Sequence, residues 1–341
     1  MVESSHVRIN LPDRTYQASV RSEMRRIAES IGFTGHRMGE LEIIIAELTS
    51  NISKHTRAGG YFLVRPLTGE MPGIEIISID EGPGIRMASD MMKDGLSTTR
   101  TLGQGLGAIQ RLASVFDIFS LTGWGTILLT RTYIKKTDKA RASKSLHVYG
   151  LNVNKPGESV SGDAWHFIQT ARNTRIMIID GLGHGVSAKQ AADEAIQNFI
   201  SEPGATPTDQ LHSLHPALKR TRGGVVNVVY LDETNNQLSY SGVGNISMKV
   251  ISANSSKGCF SYNGIVGHIM PSVINNHILQ WQPNDLIILH SDGISGRWDL
   301  GKYPGILTHH PLLLCAAIYK DHTRGTDDAT VVVAKTIKST K

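Results

Sequence analysis

Cysteine is scarce in this chain, with two in 341 residues, Cys259 and Cys315, in neither a CxxC nor a metal-ligand spacing. That excludes a disulfide-stapled scaffold and a thiolate metal centre, and it fits reduced thiols inside a cell. Long apolar runs are missing too. No stretch approaches the roughly 18 consecutive apolar residues of a membrane span, and the opening MVESSHVRINLPDR lacks the apolar core of a signal peptide. The expectation is a cytoplasmic protein with no membrane partner. Internal repeats and low-complexity tracts are absent. The formal charge of +5 is not spread over a face: residues 135–144, KKTDKARASK, hold five basic side chains and one acid. An excess confined to one short stretch reads as a solvated linker, so no nucleic-acid partner is expected.

What is present is the composition of an ordinary globular protein, 40% hydrophobic and 19% charged, in a chain long enough for two cores. Apolar residues recur at helical spacing over 16–31 and 36–56, and short apolar or alternating runs at 60–66 and 73–80 read as strands. A loop over 82–103 leads to a helix at 105–116, then strands at 117–122 and 125–133 around the turn Gly123-Trp124-Gly125. Helices followed by strands in this order suggest a sheet with helices on one face. Beyond the basic stretch, strands are expected at 164–170, 175–180, 224–231, 237–242, 246–252, 284–290 and 329–336, with helices at 186–200, 207–220 and 311–320. This half reads as two mainly antiparallel sheets flanked by helices. The domains expected are 1–134, a basic linker 135–147, and 148–341.

The first half carries three linked signals. Glu47 and Asn51 lie four apart on a periodic helix and so share a face. A carboxylate there can take a proton from an attacking hydroxyl, and an amide oxygen one turn on is a hard ligand suited to Mg²⁺. Asp80 closes a strand and opens a turn with Gly82 and Gly84, where glycine permits close approach of a ligand. Gly103, Gly105 and Gly107, with Leu106 among them, lead into a helix whose N-terminal amides attract phosphate. Each signal alone is commonplace; the three in this order are specific.

Residues 7–133 thereby resemble the GHKL (Bergerat) ATP-binding fold, a two-layer α/β sandwich, and within it the anti-sigma and stress-switch serine kinases. The resemblance implies ATP and Mg²⁺ as cofactors. It assigns Glu47 to activation of the substrate serine, Asn51 to Mg²⁺ and Asp80 to the adenine amino group. Gly82, Gly84, Gly103, Gly105, Leu106 and Gly107 would shape the pocket and phosphate loop, and Gly125-Thr126 matches a closing element near adenine. Lys54 and His55 stand where some members place a base that contacts phosphate; Lys54 is taken as the candidate and His55 as a surface or partly packed residue.

The second half carries four aspartates at expected strand ends: Asp163 before AWHFIQT, Asp180 after RIMII, Asp292 after LIILHS and Asp327 before DATVVVA. Carboxylates from different strands can converge on two divalent ions that activate a shared water, and all-oxygen ligation favours Mg²⁺ or Mn²⁺. Residues 145–336 resemble the short bacterial sporulation and stress-response branch of the type 2C serine/threonine phosphatases, an α-β-β-α sandwich. The resemblance implies that Asp180 bridges two Mn²⁺ or Mg²⁺ ions with the Gly181 carbonyl beside it. Asp163, Asp292 and Asp327 would complete the set, with Asp328 behind them. The larger phosphatases have Asp-Gly-His-Gly-Gly, whereas this chain has Asp180-Gly-Leu-Gly-His184-Gly. His184 is therefore left between protonating the leaving oxygen and packing the loop. The phosphate-binding arginine of the larger enzymes has no match near the first acidic motif.

Together the resemblances imply an α/β (α+β) protein in which a kinase and a phosphatase act on a STAS-type antagonist or related switch protein, with a sigma factor as a further partner. The kinase relatives often dimerise, which leaves a homodimer open. The competing expectation is a phosphatase whose N-terminal lobe senses ATP or docks the partner without catalysis.

Overall fold

The computed structural model describes residues 5–85, 102–136, 146–252 and 255–336. Most of the 82–103 loop and of the 135–147 linker lies outside them. The chain forms two compact units, which do not follow the expected contiguous halves. One comprises His6–Arg141 with Leu300–Ala317, the other Met1–Ser5, Ala142–Asp299 and Ile318–Lys341.

In the first unit, strands β1 (Val7–Leu11), β2 (Gly60–Leu67), β3 (Gly73–Asp80), β4 (Val115–Leu121) and β5 (Gly125–Tyr133) form an antiparallel sheet in the order β1-β2-β3-β5-β4. Helices α1 (Gln17–Ser30), α2 (Gly35–His55) and α3 (Leu102–Leu112) pack on one face. Their apolar stripes, including Met24, Leu41, Ile44, Leu48 and Ile109, meet Ile9, Phe62, Val64, Ile74, Ile76 and Ile118. The helix expected at 105–116 instead runs from Leu102 to Leu112, because Phe116 is taken into the ladder opposite Thr130. The short β1 was not anticipated; five residues carry too little alternation to stand out.

The opposite face of this sheet is also buried, and it holds a charged cluster. Glu75 lies between Arg65 (3.1 Å), Arg131 (2.6 Å) and His6 (2.9 Å). Burial alone would raise the Glu75 carboxyl; Arg65, Arg131 and His6 outweigh it and hold it well below the ordinary carboxylate range. On β4, Asp117 accepts hydrogen bonds from the His309 ring (2.8 Å) and the His310 amide (2.6 Å), which fastens the Leu300–Ala317 segment into this unit.

The second unit has two sheets. Strands β6 (Leu146–Val153), β7 (Asp163–Gln169), β8 (Asn173–Gly181), β9 (Gly224–Asp232), β10 (Gln237–Val243), β11 (Ser247–Ser252), β12 (Ser255–Cys259), β13 (His277–Gln280), β14 (Leu286–His290) and β15 (Ala329–Thr336) pair as β13-β10-β9-β8-β7 and β12-β11-β14-β15-β6. The run Ile176–Ile179 in β8 is continuously apolar because both its faces are covered. Ile176 and Ile178 join Trp165, Val229, Ile287, Leu289 and Val332 between the sheets, while Met177 and Ile179 face helices α4 (Val186–Ser201) and α5 (Pro207–Leu218). A Thr206–Asp209 capping box and Pro207 start α5. The C-terminal helix α6 spans Pro311–His322. β6, β12 and β13 escaped the sequence reading: Gly150 interrupts β6, where its missing side chain admits the Trp165 indole, and the other two are short or polar edge strands.

Candidate functional site

In the second unit the acidic residues are placed by strand register. Asp163 opens β7 and Asp180 is the penultimate residue of β8, and the two are direct partners in the ladder. Asp292 follows β14, and Asp327 and Asp328 precede β15, its antiparallel neighbour. Asp163 is fully buried; its Oδ2 accepts the Ser291 hydroxyl at 2.6 Å, and Ser291 Oγ accepts the Thr330 amide at 3.0 Å. The other oxygen, Oδ1, is buried with no hydrogen-bond partner among the described residues. Such a group is costly unless a cation or proton joins it. Asn245 donates to Asp292 Oδ2 at 3.0 Å. Asp328 accepts from the amides of Lys155 and Gly162, both at 2.7 Å, and so ties the 155–162 loop to the head of β15.

The electrostatics are those of crowded like charges. Burial pushes the Asp163 carboxyl up to about 7, and burial followed by the charges of Asp163, Asp292, Asp327 and Asp328 pushes Asp180 up to about 9. Among the described residues no three His, Cys, Asp or Glu side chains are drawn into a ready-made ligand cluster. The carboxylates stand within electrostatic reach of one another rather than at ligand spacing. An all-oxygen donor set with an orphaned buried oxygen fits hard divalent cations. On the rim, His184 Nδ1 lies 2.6 Å from Glu158 Oε1, with the imidazole half exposed.

The first unit holds a cavity of about 260 Å³ whose lining includes Asn51, His55, Asp80, Gly84, Leu106 and Thr126. Asp80 and Thr126 are ladder partners across β3 and β5. Asp80 Oδ1 accepts the Gly82 amide at 2.7 Å, and Thr126 Oγ1 lies 3.0 Å from Ser120 Oγ. Gly84 adopts φ +76° and Gly125 φ +119°, both pressed against neighbouring carbonyls, so neither site admits a side chain. Gly105, in the first turns of α3, faces the Glu47 carboxylate, with Asn51 Oδ1 3.9 Å from where a Cβ would sit. Gly103 and Gly107 lie in the same helix, and a Cβ at Gly107 would stand 3.1 Å from Arg111 Nη1. Glu47, Asn51, Asp80, Gly82, Gly84, Gly105, Leu106 and Thr126 thus gather in one region. Lys54 is exposed at the end of α2 and does not line the cavity, whereas His55 does. The residues missed from sequence, Ser291, Asn245 and Glu158, act through contacts 26 to 128 positions away, for which no local signal exists.

Comparison with known proteins fits this geometry. Residues 170–337 match the family model described as Stage II sporulation protein E (SpoIIE). The serine/threonine-protein kinase RsbT of Bacillus subtilis (strain 168) is 33% identical over 102 residues, which span 30% of this chain and 77% of RsbT. The phosphoserine phosphatase RsbX of the same organism is 26% identical over 153 residues, 43% of this chain and 73% of RsbX. A solved structure of RsbX in complex with magnesium superposes with a TM-score of 0.52 at 18% identity, covering 58% of this chain and 99% of that one. A structure described as "The bacterial stressosome: a modular system that has been adapted to control secondary messenger signaling" gives a TM-score of 0.52 at 29% identity, covering 56% and 99%. With these matches, the stacked sheets and outer helices of the second unit are those of a PP2C-type serine/threonine phosphatase domain. Within that class, residues 170–337 form a domain of the SpoIIE type, the part of the chain that the family model matches. Among the described residues no helix is long and apolar enough to cross a membrane.

Proposed function

We propose that this chain is a bifunctional regulator of a bacterial partner-switching pathway. Its N-terminal unit transfers the γ-phosphate of ATP to a serine or threonine of a STAS-type antagonist protein, and its phosphatase unit removes that phosphate. The observation that carries the kinase half is the meeting of Glu47, Asn51 and Gly105 beside the pocket that holds Asp80 and Thr126. In this reading Glu47 takes the proton of the attacking hydroxyl, and the Asn51 side-chain oxygen serves Mg²⁺. The first amides of α3 face the phosphates, and Asp80 accepts from the adenine amino group. The likeness to RsbT over 77% of that kinase supports it.

In the phosphatase unit, Asp163, Asp180, Asp292 and Asp327 with the Gly181 carbonyl would hold two Mg²⁺ or Mn²⁺ ions; bound there, the pair supplies an activated water and a clamp on the phosphoryl group. Ser291 and Asn245 orient two of these carboxylates. His184, steadied by Glu158, protonates the departing serine oxygen. RsbX, whose solved structure contains magnesium, supports a hard divalent ion here.

The test uses Asp180→Asn protein, so that phosphorylated product survives. It is incubated with γ-labelled ATP, Mg²⁺ and a STAS-domain protein from the same genome. Label on that protein, lost with Glu47→Ala, supports the kinase. ATP binding without label recasts the N-terminal unit as an ATP-sensing or docking module.

A further inference from the structure

A phosphate ester approaching five carboxylates meets strong repulsion. Two divalent ions would neutralise most of it, yet the phosphoryl oxygens still need donors of fixed direction, a task suited to a planar guanidinium. No arginine near the first acidic motif fills that role. One arrives from another strand. Gly181 at the end of β8 pairs with Gly224 at the start of β9, and just beyond this pair the Leu182 amide donates to the Gly223 carbonyl at 3.0 Å. This clamp brings the residue before Gly223, Arg222, alongside the metal loop. A Cβ on Gly183 would stand 2.8 Å from Arg222 Nη1, so the guanidinium lies directly over that glycine. Gly183 itself adopts φ +89°, a conformation that keeps the position free of a side chain. Arg222 is exposed, and among the described residues it makes no hydrogen bond or ion pair. An unpaired guanidinium laid over the loop that follows Asp180 has no structural duty to explain it.

We infer that Arg222 holds the phosphoryl oxygens of the phosphoserine or phosphothreonine substrate, a role supplied from the β9 turn instead of the first acidic motif. The inference rests on the phosphatase reading of the acidic site. The guanidinium donates two N–H groups to non-bridging oxygens while the ester lies over the carboxylates, and it releases them when inorganic phosphate leaves. Product phosphate should therefore compete for the same donors.

The experiment measures p-nitrophenyl phosphate hydrolysis by the full chain with Mn²⁺, and its competitive inhibition by inorganic phosphate, in wild type, Arg222→Ala and Arg222→Lys. Arg222→Ala should raise both KM and the phosphate inhibition constant at least about tenfold, as expected for loss of a charge-assisted bidentate contact. Arg222→Lys should recover part of the loss, since it keeps the charge and not the fork. Unchanged melting temperatures would exclude a folding effect. An unaltered phosphate inhibition constant in Arg222→Ala overturns the inference. Wild-type protein without metal-dependent hydrolysis overturns instead the phosphatase reading beneath it.

Discussion

Asp163 and Asp180 face each other as register partners across β7 and β8, so two carboxylates are fixed side by side by backbone pairing alone. Their raised values, about 7 and about 9 against 3.8 for a free aspartate, mean that the metal-free folded protein binds more protons than the unfolded chain across that range. Stability of the metal-free protein should therefore fall as pH rises from about 4 towards 9. Asp180→Asn should flatten this slope and raise the melting temperature in EDTA at pH 8, by about 2–4 °C for each kcal/mol relieved in a domain of this size. The same variant should lose metal-dependent phosphatase activity. Thermal melts in EDTA between pH 5 and 9 check the first outcome; a variant melting lower than wild type at pH 8 would count against a strained acidic site.

Ser291 holds Asp163 Oδ2 and is itself held by the Thr330 amide, so under the proposed metal site it would orient a ligand without being one. Ser291→Ala should weaken Mn²⁺ activation by about 10–100-fold, the usual loss when the partner of a metal-binding carboxylate is removed. Saturating Mn²⁺ should restore much of kcat. The check is a Mn²⁺ titration of initial rates, and a kcat defect that no Mn²⁺ concentration repairs would contradict the orienting role.

Much of the fold was legible in the sequence, and so was the placement of the aspartates at strand ends. An apolar run closing on aspartate, as in RIMIID, marks both a strand and the carboxylate at its tip, and the structure keeps Asp80 and Asp180 at such tips. Boundaries were less legible: α3 begins at Leu102 and yields to β4 at Val115 because ladder pairing with Arg131, a distant residue, decides where the helix stops. The Leu300–Ala317 segment falls with the first unit through contacts such as Asp117 with His309, which are 192 positions apart and leave no trace in local pattern. Ser291, Glu158 and Arg222 were invisible for the same reason.

His184 and Glu158 make a prediction about leaving groups. A general acid matters when the departing oxygen is a poor leaving group such as serine, and little when it is p-nitrophenolate. His184→Ala should cut kcat on a phosphoserine protein by about 10²-fold or more while sparing p-nitrophenyl phosphate, and Glu158→Gln should do the same more weakly. Equal losses on both substrates would assign the pair to loop packing, since the 2.6 Å contact also joins two rim loops.

In the first unit, Asp80 and Thr126 meet at one end of the sheet, and Gly82 and Gly84 shape the turn beside them. Asp80→Asn replaces one acceptor oxygen with a donor, and it should weaken binding of a fluorescent ATP analogue about tenfold or more, as loss of a hydrogen bond to a charged group does. Hydrolysis of p-nitrophenyl phosphate should be untouched. Unchanged nucleotide affinity would count against a nucleotide contact by Asp80.

Glu75 tests the fold rather than the chemistry. Its carboxylate is buried between Arg65, Arg131 and His6, and Glu75→Gln leaves both guanidiniums without a counter-charge, which should cost about 3–5 kcal/mol. The carboxyl is held well below its ordinary 4.5, so its stabilisation is complete above that value and is lost as pH falls towards the depressed folded value. Wild type should accordingly lose stability below pH 4.5, while Glu75→Gln, already destabilised, should lose less over the same interval. Denaturant melts of both proteins between pH 3 and 7 measure the two slopes, and parallel slopes would mean that some other carboxylate governs the acid limb.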